Sequence, residues 1–222
     1  MKKLEPLFQE INCSHAFWIV DSDREYLPQI ADFALKQEYR TLSAPCDFVG
    51  QIWPWFENKD VKIITRFSID IKDGFDSVIS EFAAETSSVF RDGASGIQVF
   101  MSPRVLSDFV EALKPVRDNL FFDRFLSVGL NIDEIKVDMW DDIFTVLQTL
   151  RPSAVLITSD GDDFDRSSDF VGRFFTMLEK WDVDADLHLM FGKNTMKLIQ
   201  AIRLVQKTRP DLMKKLTVFV RN

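Results

Sequence analysis

Short runs rich in Val, Ile, Leu and Phe alternate along the chain with longer segments whose apolar residues recur at helical spacing. Eight of the short runs read as strands: AFWIV (16–20), YRTLSA (39–44), VKIITRFSI (61–69), GIQVFM (96–101), DRFLSVGL (123–130), AVLITS (154–159), DLHLMF (186–191) and LTVFV (216–220). Strands that alternate with helical periods belong to a parallel sheet with crossover helices. Eight of them in 222 residues predict an α/β fold, a compact (β/α)8 TIM barrel forming a single domain over residues 1–222.

The intervening segments carry the apolar stripes that such a sheet needs to cover it. One is Phe75, Val78, Ile79, Phe82, Ala83 and Phe90, and a second is Val105, Leu106, Phe109, Val110 and Leu113. A third is Phe170, Val171, Phe174, Phe175, Leu178 and Trp181, and a fourth Leu198, Ile199, Ile202 and Val205. Ser102-Pro103 supplies an N-cap and a proline at the first helical position of the second stripe. Trp53-Pro54-Trp55 sits in a helical segment where proline breaks the hydrogen-bond ladder, which suits either a subunit contact or barrel packing. The sequence ends two residues after the eighth strand, so an eighth helix is expected to be lacking, with the N-terminal LEPLFQEI in its place.

Composition narrows the function classes. A formal charge of -8 opposes binding to a phosphate backbone, which depends on Lys and Arg displacing counterions, so nucleic acid is not an expected partner. Two cysteines, Cys13 and Cys46, have no CxxC spacing, and free thiols in a reducing, cytoplasmic compartment are the simple expectation. No stretch reaches the roughly 20 apolar residues of a membrane helix, nor does the charged N-terminus read as a signal peptide, so no membrane partner is expected. Only His15 and His188 are available as imidazole ligands, which argues against a His-rich zinc centre. GxSxG, GxxxxGK[ST] and dinucleotide-binding glycine turns are all missing from the sequence.

Four segments, read in order, resemble deoxyribose-phosphate aldolase, a class I aldolase built on a (β/α)8 barrel. SAPCDFVGQIWPWFENKDVKIITRFSI matches that family's Asn-Pro-Cys strand end and third strand through Pro45, Cys46, Val61, Lys62 and Thr65. SVISEFAAETSSVFRDGASGIQVFM is similar to its Asp-Gly-Ala helix end and fourth strand through Asp92, Gly93, Ala94 and Ile97. SVGLNIDEI matches its Gly-Leu and Asp-Glu turn through Gly129, Leu130, Asp133 and Glu134. SAVLITSDG lies over Ala-Asp-Phe-Val-Lys-Thr-Ser-Thr-Gly, with Thr158, Ser159 and Gly161 retained. The resemblance spans residues 25–195.

What the resemblance implies is an altered machinery. The family's Schiff-base lysine falls at Ile157, its fourth-strand carboxylate at Gln98 and its seventh-strand lysine at Met190. Isoleucine has no nucleophile, an amide is no general base near neutral pH, and a thioether donates no proton. The glycine-rich phosphate turn after the seventh strand is replaced by FGKNT, and the chain ends before the last phosphate loop. The expectation is an aldolase-like barrel that has lost Schiff-base chemistry, a non-aldolase or altered-activity homologue that binds a small anionic or carbonyl-containing molecule. No cofactor is implied; homo-oligomers are compatible with the sequence.

Strand alternation applied to this alignment turns Val155, Ile157 and Ser159 inward on the sixth strand, and His188 with Met190 on the seventh. Arg66 falls at a pocket-lining position of the third strand. It either pairs with a loop carboxylate such as Asp47 or Asp70, or anchors a small carboxylate or phosphate. The expected mouth therefore comprises Arg66, Gln98, Thr158, Ser159, Asp160 and His188. The alternative is an active carbon–carbon lyase with a relocated amine at Lys193, just past the seventh strand, with Lys72 a weaker candidate. DGDDFDRSSD (160–169) gathers aspartates that suit either a hard cation or a helix-capping loop; its twelfth position is Val171, so it is no EF-hand.

Overall fold

The computed structural model describes residues 13–68, 75–102, 110, 113, 124–159, 167–192 and 194–221. The eight strands are β1 (Ser14–Trp18), β2 (Thr41–Pro45), β3 (Lys62–Ser68), β4 (Gly96–Met101), β5 (Phe125–Asn131), β6 (Ala154–Thr158), β7 (Asp186–Met190) and β8 (Leu216–Val220). Each pairs in parallel with the next, and β8 returns to β1, so the sheet closes into a barrel in sequence order. The helices are α1 (Leu27–Lys36), α2 (Val49–Phe56), α3 (Phe75–Arg91), α4 (Trp140–Leu150), α5 (Ser167–Lys180) and α6 (Thr195–Thr208). Val110 and Leu113 are helical as well, and Leu113 is buried in the core; the rest of that stripe, Pro103 and the N-terminal LEPLFQEI lie outside the described residues. Among the described residues no helix is long and apolar enough to cross a membrane.

The outer layer is the main core. Phe17, Leu42, Ile63, Ile97, Val128, Val155, Leu187 and Val218 point from the strands into one apolar cluster with Ile30, Ile52, Phe144, Phe174 and Ile202 of the helices. Each such side chain, once buried, contributes about 1.5–3 kcal/mol. Local chemistry fixes the helix ends: Pro28 lies in the first turn of α1, Asp141 and Asp142 face the positive end of α4, and the Asn194 side chain caps α6 by accepting from Lys197 N at 3.1 Å. The helix α2 continues through Pro54. Its Trp53 packs into the outer layer so closely that a Cβ on Gly93, at φ 107°, would collide with the indole, whereas Trp55 is exposed.

A second, smaller cluster lies inside the barrel. Ala16, Trp18, Leu156 and Phe219 meet there, with Val20, Phe100 and Met190 packed against them. β1 and β6 are not neighbours, so side chains from the two can touch only across the barrel axis. Gly129 makes room for this plug: a Cβ there would come within 2.7 Å of the Phe100 ring.

This cluster sets the phase of every strand, because partnered positions on adjacent parallel strands share a face. Leu156 partners His188 and Gly129, and Thr158 partners Met190 and Asn131. The inner face of β6 is therefore Ala154, Leu156 and Thr158. Val155 and Ile157 point outward into the helix layer, which corrects the inward orientation expected of them.

Candidate functional site

Arg66 is carried on the inner face of β3, where Pro45 and Gln98 partner it on either side. Its guanidinium donates to the Ser43 carbonyl at 2.9 Å, to Ser43 Oγ at 3.0 Å and to the Ile19 carbonyl. Its carbon sits 4.2 Å above the Trp18 ring, a cation–π placement that also fixes the plane of the fork. Burial pushes its pKa down to about 10, which leaves it charged at neutral pH. Among the described residues no carboxylate pairs with it. Asp47, one expected partner, is held by Arg24 instead, and Asp70 lies outside the described residues. Three of the five Arg66 N–H donors are thus used on neutral acceptors, and the other two have no acceptor among the described residues.

Gln98 is wholly buried beneath Arg66 and spans the interior. Ser43 Oγ accepts from Arg66 and donates to Gln98 Oε1 at 3.2 Å, while Gln98 Nε2 donates to Ser127 Oγ at 3.3 Å. The amide bridges the two hydroxyls, its oxygen accepting from one and its N–H donating to the other. Thr158, at the inner edge of β6, donates to the Leu130 carbonyl at 3.4 Å. Met190 stands on the inner face of β7, its sulfur accepting from Gly192 N at 3.2 Å.

Ser159 does not line this mouth with Arg66 through β6 alternation as expected. It follows Thr158 on the outward phase and donates to Asp133 Oδ2 at 2.8 Å. Onto the same hydroxyl comes Lys197 Nζ, at 3.0 Å, from the first turn of α6. Lys197 is 4 % exposed, 4.0 Å from Asp133 Oδ1 and 5.7 Å from the Phe170 ring centroid. Arg173 closes the group by donating to the Asp133 carbonyl at 2.8 Å. Lys197 escaped the sequence reading, yet Lys197, Ala201 and Val205 recur at four-residue spacing on the buried stripe of α6. Lys193, Lys72 and Asp160 lie outside the described residues, as does most of the acidic loop, whose Asp169 is paired with Arg173.

His188 is on the inner face of β7 but belongs to the other end of the barrel. It lines a cleft with Ser14, Thr41, Lys62, Phe125, Asp186 and Thr217, residues from the N-terminal ends of their strands. Its ring stacks on Phe125 at 5.9 Å and tilts against Phe219 at 5.4 Å. Complete desolvation pushes its pKa down to about 3, so it is neutral at physiological pH. Among the described residues no group of three or more His, Cys, Asp or Glu is placed to hold a metal ion.

No protein-family model matches the sequence, and no curated protein matches it either. Solved structures do match. A Toxoplasma gondii ME49 protein described as a deoxyribose-phosphate aldolase aligns over 94 % of this chain and 87 % of its own, with a TM-score of 0.68 and 14 % identity. The tetrameric deoxyribose phosphate aldolase of Aeropyrum pernix aligns over 93 % and 84 %, at a TM-score of 0.65 and 12 % identity. The HMG-CoA lyase of Bacillus subtilis reaches a TM-score of 0.65 at 9 % identity, over 94 % of this chain and 76 % of its own. At such identities the likeness is one of fold. The chain is a (β/α)8 barrel of the kind found in the deoxyribose-phosphate aldolases.

Proposed function

We propose that this aldolase-like barrel has lost amine chemistry and binds a small anion at the C-terminal mouth, anchored by Arg66. The observation that carries the reading is the state of that guanidinium: charged, fixed by two main-chain carbonyls and a hydroxyl over Trp18, and without a carboxylate partner among the described residues. Rigidly held Arg donors recognise carboxylate or phosphate oxygens with little ordering cost. Thr158, at the inner edge of β6 on the same side of the barrel, offers a hydroxyl to the ligand. The residues implied by the aldolase resemblance supply no replacement base or nucleophile: Gln98 is an amide bound on both sides, Met190 a thioether, and the inner face of β6 reads Ala154, Leu156, Thr158.

The test is calorimetric titration with inorganic phosphate and with 2-deoxyribose 5-phosphate, on the wild type and on Arg66→Met. The wild type is expected to bind at least one of them, and Arg66→Met to weaken it by about tenfold or more, the order of one charge-assisted contact. Equal binding by the two proteins overturns the reading.

One observation favours a second reading, an active carbon–carbon lyase with a relocated lysine. Lys197 is a buried amine beside a carboxylate at the C-terminal side of the barrel, a few residues beyond the Lys193 first considered. In that case its ammonium would have to leave Ser159 and Asp133 and surrender a proton before attacking a carbonyl.

A further inference from the structure

The polar cleft at the N-terminal end of the barrel plays no part in the function proposed above. We propose that it is a second ligand site, built for a small hydroxylated anion, with Lys62 holding the anionic group and His188 and Asp186 receiving the hydroxyls.

The cleft spans the starts of the strands and is completed by the connection from α1 to β2, which brings Gln37, Glu38, Tyr39 and Arg40 to its edge. Ser14, Thr41, Lys62, Phe125 and Asp186 are each the first residue of a strand, and Thr217 is the second of β8, so six of the eight strands contribute to it. Its volume is about 450 Å³, within the range that takes a small metabolite. In closed barrels the inward-facing layers are ordinarily filled by bulky branched side chains. Here the strand starts that line the cleft carry hydroxyls, a carboxylate, an ammonium and a single aromatic ring, Phe125.

Two groups give the cleft a chemical direction. Lys62 is exposed at its rim, makes no ion pair within 4.0 Å among the described residues, and acts on Asp186 at longer range. His188 forms the floor. It is 4 % exposed, and its Nδ1 is buried without a hydrogen-bond partner among the described residues. With Nδ1 closed off and the ring lining the cleft, the neutral imidazole meets a ligand hydroxyl through Nε2, which donates or accepts according to the tautomer. Phe125 and Phe219 clamp the ring so that it presents a fixed edge. Asp186 is half-buried beside it, its carboxyl pushed up by burial and pulled down by Lys215 and Lys62, and it adds an acceptor for hydroxyls. Above this floor the Trp18–Leu156–Phe219 plug separates the cleft from Arg66. The two ends are therefore separate cavities.

The experiment follows the imidazole nitrogens by ¹⁵N NMR while malate or glycerol 3-phosphate is added, on the wild type, Lys62→Ala and Arg66→Met. The chain has only two histidines, which makes assignment direct. A saturable shift of the His188 nitrogens is expected with at least one probe, weakened about tenfold in Lys62→Ala and retained in Arg66→Met. The tighter probe identifies the anionic group as carboxylate or phosphate. Because Lys62 is exposed, its replacement leaves the fold intact, and His188→Phe provides a second variant that keeps the aromatic stack. Calorimetry should find probe binding to His188→Phe weakened at an unchanged or raised Tm. His188 nitrogens that stay unmoved to about 20 mM of both probes, or that shift identically in Lys62→Ala, overturn the proposal.

Discussion

His188 shows how a single residue can be read correctly as inward-facing and still be placed at the wrong end. Its seventh-strand phase was legible, since Met190 and His188 do share the inner face, but alternation gives no height along the barrel axis. Height follows from the stagger of the strands, which sequence does not encode locally. The buried neutral ring also makes a prediction about pH. An unfolded histidine titrates near 6.5, whereas the folded one titrates at about 3. Between these values the unfolded chain binds the extra proton, so stability falls as pH falls through that window, by up to about 1.4 kcal/mol per pH unit. Urea unfolding of wild type and His188→Phe between pH 7 and 4 should show the wild type losing the additional stability. Parallel pH profiles would remove His188 from the acid response. His15, whose pKa is lowered in the same direction, is common to both proteins.

At the scale of elements, strand positions were legible and strand phase was not always so. The sequence placed β4 and β8 at their observed limits, and β1 came out two residues too far along because Ile19 and Val20 extend its apolar run. The missed phase belongs to β6. Ala154–Thr158 is buried at every position, so no polar residue marks which side meets the axis. An alignment to the aldolase lysine then set Ile157 inward, and the cross-barrel contact of Leu156 with Trp18 and Phe219 reverses it. The same contact explains Ser159, which turns outward to join Asp133 and Lys197. That group ties the end of β6 and the loop after β5 to the first turn of α6. Lys197→Met removes the cation and leaves the Asp133 carboxylate half-buried without it, and is expected to cost about 3 kcal/mol in urea unfolding. Adding Asp133→Asn should recover part of that loss, since the two changes belong to one network. Additive losses would mean that the pair does not act as a unit.

For the molecule as a whole, the barrel is a tube closed in its middle. An aromatic plug divides a C-terminal mouth, organised by Arg66, from an N-terminal cleft floored by His188. The barrel was legible because eight apolar runs spaced by amphipathic segments leave little other choice of topology. The mouth was legible only in part. Arg66 and Gln98 stand out as polar residues within apolar strands, whereas their bonding through Ser43 depends on side-chain contacts among β2, β3 and β4 that strand patterns do not specify. The resemblance to a class I aldolase narrows the remaining question to whether any lysine of this chain captures a carbonyl. Incubation with 2-deoxyribose 5-phosphate, reduction by borohydride and intact-mass measurement answer it directly. The mass is expected to stay that of the unmodified chain; a gain equal to one reduced sugar phosphate, mapped to Lys193, Lys197 or any other lysine, would contradict the account.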